Sequence, residues 1–208
     1  MWALPILAAV ILHEVAHGLV AYRLGDPTAA RHGRLTLNPL PHIDPIGTVL
    51  LPLMLVLSSA PFLFGYARPV PVNFANLRNP KRDMILVAAA GPLTNLLLAV
   101  LSAALFKALL QADISPEGLF AGTVLKPLAL MARNAVYINV GLAVFNLLPI
   151  LPLDGGRVLA GLLPRAQAAA FARLEPFGLL IVVVLIATNV LDSVINPVIG
   201  LFIHALLS

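Results

Sequence analysis

The sequence contains no cysteine. That removes disulfides, thiolate nucleophiles and cysteine-ligated zinc, and it leaves the redox compartment undetermined. Charge is scarce too: 11% of the 208 residues are charged, against about a quarter in an ordinary soluble domain. Aromatics make up 6%, the formal charge is +4, and no basic run is interleaved with aromatic residues, so nothing marks a nucleic-acid partner. No internal repeat, low-complexity tract or separate soluble domain is visible, and residues 1–208 read as one domain. The first apolar run has neither a basic leader nor an A-x-A-like cleavage site, so it is expected to stay in the mature protein.

What fills the space is hydrocarbon. Sixty per cent of the residues are hydrophobic and the mean hydropathy is +0.98. Apolar segments that read as crossing ~30 Å of lipid lie at 2–24, 84–110, 135–163 with interruptions, and 174–207, the last as one or more spans. Backbone facing lipid must satisfy its own hydrogen bonds, and no alternation in ten-residue segments suggests a barrel. The expected fold is therefore an all-α, polytopic membrane bundle of about four to six transmembrane helices, with the lipid bilayer as its first partner.

The basic residues orient this bundle. The stretch GTVLLPLMLVLSSAPFLFGYA, 46–66, is long enough to span but carries Pro52 and Pro61. If it enters and leaves on one face, ten Lys and Arg residues share a side and only Lys107 and Lys126 lie opposite, as the positive-inside rule expects. This places the N-terminus outside, 25–83 on the cytoplasmic side with 46–66 re-entrant, and the acidic loop 111–121 outside; a full crossing by 46–66 stays open. Alternation over Gly33–Leu37 suggests a short β-hairpin after the first helix, and the following prolines forbid a regular helix.

Against this apolar background stands AVILHEVAHGLVAYRLGD, 9–26. His13 and His17 are four residues apart on one helical face and can reach one metal ion, while Glu14 is offset so that it addresses a water beside that ion. Chance would give H-E-x-x-H here with an expectation of only ~0.002, and each ionisable side chain at mid-helix costs about 2.5–3.5 kcal/mol on insertion scales. Nothing structural in an Ala/Leu/Val helix requires that cost. Catalytic zinc takes three protein ligands and leaves a position open. The candidate for the third is Asp154 in AVFNLLPILPLDGGRVLAGLLPR, where Pro149 and Pro152 are expected to unwind the span before it re-forms after Gly155 and Gly156. His13 lies about 15 Å of helix from Arg23, and Asp154 about 16 Å from Arg165, so the half-sites share a depth. A surface Pro-Leu-Asp-Gly turn is the competing reading of Asp154.

HEVAH on a first hydrophobic helix, AGPLTN at 90–95 and NLLPILPLDGG at 146–156, together with LTLNPLPHIDPIGT and GYARPVPVN, resemble the site-2 protease family of intramembrane zinc metalloproteases, in its compact prokaryotic branch. The resemblance covers nearly the whole chain. It implies one Zn²⁺ per chain held by His13, His17 and Asp154, Glu14 as catalytic carboxylate, and a role for Asn146 in substrate binding or oxyanion support. It further implies cleavage within single-span transmembrane substrates in regulated intramembrane proteolysis, in a setting expected to be a bacterial cytoplasmic membrane. The sequence shows no hydrophobic helix before HEVAH and no PDZ or CBS module, which leaves regulation and substrate selection open.

The other buried-looking polar residues have quieter readings. Asn95 is read first as a helix-to-helix hydrogen-bonding group and second as a substrate contact. His42 and Asp44 sit in a Pro-flanked loop and read as structural, Asn139 as a packing contact, Arg133 as an interfacial snorkeller, and His204 as without special role. Two rival functions keep the fold without the chemistry: an inactive homologue would lack a ligand or Glu14, and a metal transporter would repeat carboxylates or histidines along several spans. Substrate identity and oligomeric state are not encoded in any of these features.

Overall fold

The computed structural model describes residues 1–59, 65–111 and 121–208. Its long helices are α1 (Ala3–Arg23), α4 (Pro80–Gln111), α5 (Lys126–Asn146) and α9 (Val190–Leu207). Shorter ones fill the intervals: α2 (Thr28–Arg31), α3 (Leu51–Leu57), α6 (Asp154–Leu162), α7 (Arg165–Ala172) and α8 (Glu175–Ala187). Four stretches are long and apolar enough to cross a membrane, namely Ala3–Arg23, Pro80–Gln111, Thr123–Asn146 and Val190–Leu207. The pair α7 and α8, bent by 63°, makes a fifth if counted as one span. The chain is thus a multi-pass helical membrane protein, as its composition requires.

Helix α4 is the hub. It packs against α1, α5, α6 and α9. Small residues make this close approach possible, since helices in lipid associate by packing rather than by expulsion of water. Ala99 and Ala103 of α4 meet Val136 and Val140 of α5, and Ile199 and Ile203 of α9 close over them. At the other end Ala21 of α1 meets Val87 of α4 and Leu77. The outward faces keep Leu86, Leu93, Leu97, Val100 and Leu101 exposed, which suits acyl chains. The N-terminus of α4 is closed locally: Pro80 opens the helix, and the Asp83 carboxylate accepts the backbone N–H of Asn79 at 2.8 Å.

The structure departs from the sequence expectation after α1. Among the described residues there is no strand, so the β-hairpin at 33–37 does not form. Side chains occupy the backbone groups that a ladder would use. Thr36 Oγ1 accepts Asn38 N–H, Asn38 Oδ1 accepts Leu40 N–H, and His42 Nε2 faces Thr36 O at 3.0 Å. Asp44 likewise caps the π-helical turn Pro45–Leu50, accepting Ile46 N–H and Gly47 N–H. His42 and Asp44 are thereby used in holding the loop.

The apolar segment continues that turn into α3. Pro45–Leu57 falls short of a span, at about 20 Å of helix against ~30 Å of hydrocarbon. Residues 60–64 lie outside the described residues, but the chain returns beside its own entry point: Tyr66 N–H donates to Gly47 O and Thr48 Oγ1–H to Tyr66 O. Entry and exit are adjacent. The expected external loop 111–121 falls largely on 112–120, also outside the described residues.

The later spans differ in their bounds. The expected broken span 135–163 is two elements: Thr123–Asn146 is a candidate span by itself, and the nine-residue α6 follows a seven-residue loop. That loop contains Pro149 and Pro152, with a cis Leu151–Pro152 bond, and the helix resumes at Asp154 rather than after the glycines. Both glycines face backbone. A Cβ on Gly155 would collide with Leu147 O, and one on Gly156 would lie 2.5 Å from Ile150 C. Asp-Gly-Gly is therefore the requirement of a helix that starts by folding back against the end of the preceding one.

Candidate metal centre

Two elements bring the three candidate ligands together. His13 and His17 project from one face of α1, and Asp154 comes from the first turn of α6. His13 Nε2 and His17 Nε2 lie 3.1 Å apart. Asp154 Oδ2 is 3.2 Å from the first and 3.3 Å from the second. Both histidines are buried, and these three form the group of potential metal donors found among the described residues. Asp154, 141 positions after His13 in sequence, has reached the depth of the HEVAH turn.

The protons show why the cluster needs a cation. His13 Nδ1 faces Asn95 Oδ1 at 2.5 Å, and His17 Nδ1 faces the carbonyl of Val87 at 2.7 Å. Both partners are acceptors, so each Nδ1 carries the ring proton and each Nε2 presents a lone pair. Two lone pairs and a carboxylate oxygen then converge on one point. Asp154 Oδ2 is buried without a hydrogen-bond partner, an arrangement that costs several kcal/mol in a dry interior unless a cation occupies it. A proton can bridge only two of the three atoms. A tetrahedral ion with ligand bonds of 2.0–2.1 Å has donor–donor edges of about 3.3 Å, which the observed spacings approach. The donor set fits zinc.

The rest of the shell is shaped around these atoms. Gly91, in AGPLTN on α4, lies directly against the rings: a Cβ there would collide with His17 Nε2 and sit 2.7 Å from His13 Nε2. The following Pro92 cannot donate to Ala88 O, which removes one rung of the α4 ladder beside the histidines. Helix α8 closes the far side of the ligand loop, where a Cβ on Gly178 would collide with Leu151 O.

Glu14 stands apart from the three donors. It is half-buried, and its Oε2 accepts the backbone N–H of Val70 at 2.7 Å. Val70 belongs to the irregular stretch 65–73, which Arg34 pins by donating Nη2 to Arg68 O at 2.6 Å and to Pro69 O at 3.3 Å. Burial and the adjacent Arg68 push the Arg34 guanidinium down from its ordinary value, against the pull of Glu14. A carboxylate and a cation thus flank this strap.

Asn95 is fully buried, and its amide is engaged on both sides, by His13 at the oxygen and by Asn139 Oδ1 and Ala9 O at the nitrogen. Asn146 ends α5, half-buried, and donates to Leu142 O at 3.0 Å. Arg133 and His204 are exposed. Residue-level reading missed three contributors: the Val87 carbonyl, the Val70 N–H and the Gly91 cradle. Backbone groups leave no signature in sequence, but Gly91 stood inside AGPLTN, and a glycine within a polar intramembrane motif is the signal that could have found it.

Residues 1–188 match peptidase family M50. The chain is 36% identical over 197 residues to "Putative zinc metalloprotease YwhC" of Bacillus subtilis, covering 95% of this chain and 84% of that protein. It is 32% identical over 186 residues to "Putative zinc metalloprotease Rip2" of Mycolicibacterium smegmatis, covering 89% and 66%. Against the protein of the same name from Mycobacterium tuberculosis H37Rv it is 33% identical over 187 residues. No solved structure matches the chain significantly. A family match running from the first residue through α8, with relatives named as zinc metalloproteases, establishes that this chain belongs to peptidase family M50 of membrane zinc metalloproteases.

Proposed function

We propose that this protein is an intramembrane zinc endopeptidase that cleaves the transmembrane segments of single-span membrane proteins, in regulated proteolysis at a bacterial cytoplasmic membrane. The observation that carries the reading is the unpartnered Asp154 Oδ2 beside two histidine lone pairs, at the depth of a lipid-embedded helix. His13, His17 and Asp154 would hold one zinc ion. When bound, zinc supplies Lewis acidity toward a carbonyl and makes water a nucleophile near neutral pH.

The chain's own residues do the rest. Glu14, next to His13 but outside the ligand set, takes the proton of the attacking water and returns it to the leaving amine. The Val70 N–H orients this carboxylate. Asn146, on the last turn before the ligand loop, is assigned to hold the substrate carbonyl. A helical substrate keeps its carbonyls in internal hydrogen bonds, so it must unwind before attack. Apolar surroundings keep bulk water away from the reacting bond and strengthen each polar contact there.

The test is reconstitution in vesicles with single-span substrates, comparing wild type, Glu14→Gln and chelator-treated protein. Glu14→Gln retains an oxygen for Val70 N–H, so it is expected to bind zinc as wild type does while cleavage falls by about 10²–10⁴, the usual contribution of a general base. Equal cleavage by all three preparations would refute the proposal.

A further inference from the structure

The hydrogen-bond chain behind His13 has a direction, and backbone sets it. Asn139 Nδ2 lies 2.9 Å from Ala135 O, and Asn95 Nδ2 lies 3.3 Å from Ala9 O. Backbone carbonyls only accept, so both amides must present their NH₂ groups to them. Asn139 Oδ1 is then free to accept Asn95 Nδ2–H at 2.8 Å, and Asn95 Oδ1 is turned to His13 Nδ1 at 2.5 Å. Reversing either amide would set acceptor against acceptor at a carbonyl. The order across three helices is fixed: α5 orients α4, and α4 orients the ring on α1.

We infer that Asn95 and Asn139 are positioning residues that lock His13 in the tautomer with the proton on Nδ1, leaving Nε2 as a ligand. The inference rests on the zinc-site reading above. Its physical basis is the burial of both amides, at 0% and 3% exposure. In hydrocarbon neither amide can turn to water, so each must find a partner in the bundle. Simple helix adhesion would be satisfied by any pairing. Here the relay ends on a ring nitrogen, and its polarity is the one that a metal on the opposite nitrogen requires.

The relay is also neutral. His17 reaches the same tautomer with one step, through Val87 O. Neither histidine is backed by a carboxylate, so a dication with Asp154 and Glu14 leaves the site close to charge balance. Another buried anion would upset that balance where charge is expensive.

Two measurements on the full-length, detergent-solubilised protein test the assignment. Zinc affinity is read by competition with a chelator, and the tautomers are read by ¹⁵N spectra of the apoprotein labelled on its five histidines. Asn95→Leu is expected to weaken zinc binding by about 10–100-fold, the usual range for an outer partner of a ligand histidine, and Asn139→Leu by about tenfold. In both variants the His13 signal shifts toward the tautomer protonated on Nε2. Asn139→Leu leaves every group in contact with His13 in place, so it decides the matter if Asn95→Leu fails to fold. Lower thermal stability with wild-type zinc affinity and tautomer would reduce the pair to a packing contact and overturn the inference. A wild-type protein that binds no zinc would overturn the site reading as well, which separates the two failures.

Discussion

His13, His17 and Asp154 meet at a point where one further atom is decisive, the missing Cβ of residue 91. Substituting Gly91 with alanine places a methyl group against His17 Nε2 and His13 Nε2. Ring ends can swing away at little cost to folding, so the penalty should fall on the metal rather than on the bundle. The prediction is that Gly91→Ala retains its melting temperature as apoprotein to within a few degrees while zinc affinity drops at least ~tenfold, as for other disturbances of ligand orientation. Paired calorimetry and chelator competition would check it; a variant that bound zinc normally would mean that the rings are not held where the structure places them. Glycine's role here differs from that at Gly156, where the obstacle is the backbone of Ile150 and Leu151, which cannot swing aside.

The strap 65–73 is the element on which the orientation of Glu14 depends, and its far end is tied down by Asp26. That buried carboxylate, just past α1, accepts Asn73 N–H at 2.7 Å, Asn76 Nδ2–H at 2.8 Å, Thr28 N–H at 3.1 Å and the Thr28 hydroxyl. Burial alone would raise its pKa, but these four donors outweigh it and hold the carboxyl below its usual value. The folded pKa lies under the unfolded ~3.9, so the stabilisation is complete above about pH 4 and fades as pH falls through the lower value. Asp26→Asn sets an NH₂ against existing donors and is expected to cost ~1–3 kcal/mol at neutral pH. The variant should also lack part of the wild-type loss of stability on acidification; parallel acid titrations of thermal unfolding would show it, and superimposable curves would discount the staple. This staple also marks what sequence could reveal. HEVAH was legible because its geometry is local, i to i+4 on one helix, and LPLDGG because proline and glycine announce a break beside an acid. The expected hairpin at 33–37 failed because five alternating residues are a weak period, and the Thr36 and Asn38 side chains captured the backbone locally. The links from Val70 to Glu14 and from Val87 to His17 were illegible for a plainer reason: they are backbone groups, more than fifty residues away, with no residue type to betray them.

At the scale of the whole molecule, the absence of cysteine gives a clean test of which membrane face each end of the bundle meets. We propose that 23–83 keeps to one face of the membrane, a reading supported by the adjacency of Gly47 and Tyr66, and that the apolar α4 then carries the chain across. On that geometry His32, in the loop after α2, and Gln167, on α7, share the side that bears ten of the thirteen basic residues, while Gln111 at the end of α4 lies opposite. All three positions are exposed, so His32→Cys, Gln167→Cys and Gln111→Cys should leave the fold undisturbed and introduce the only thiol in each protein. An impermeant thiol reagent added to intact cells is expected to label Gln111→Cys alone, and the other two only after the membrane is opened. The charge bias predicts this pattern because cationic loops are retained in the cytoplasm, whatever chemistry the bundle performs. Labelling of Gln111→Cys and His32→Cys from the same side would show that α4 does not cross with the chain as described. Labelling of His32→Cys and Gln167→Cys from opposite sides would instead require α5 with α6 to cross differently, and Asp154 could then no longer approach HEVAH from the depth at which the two half-sites meet.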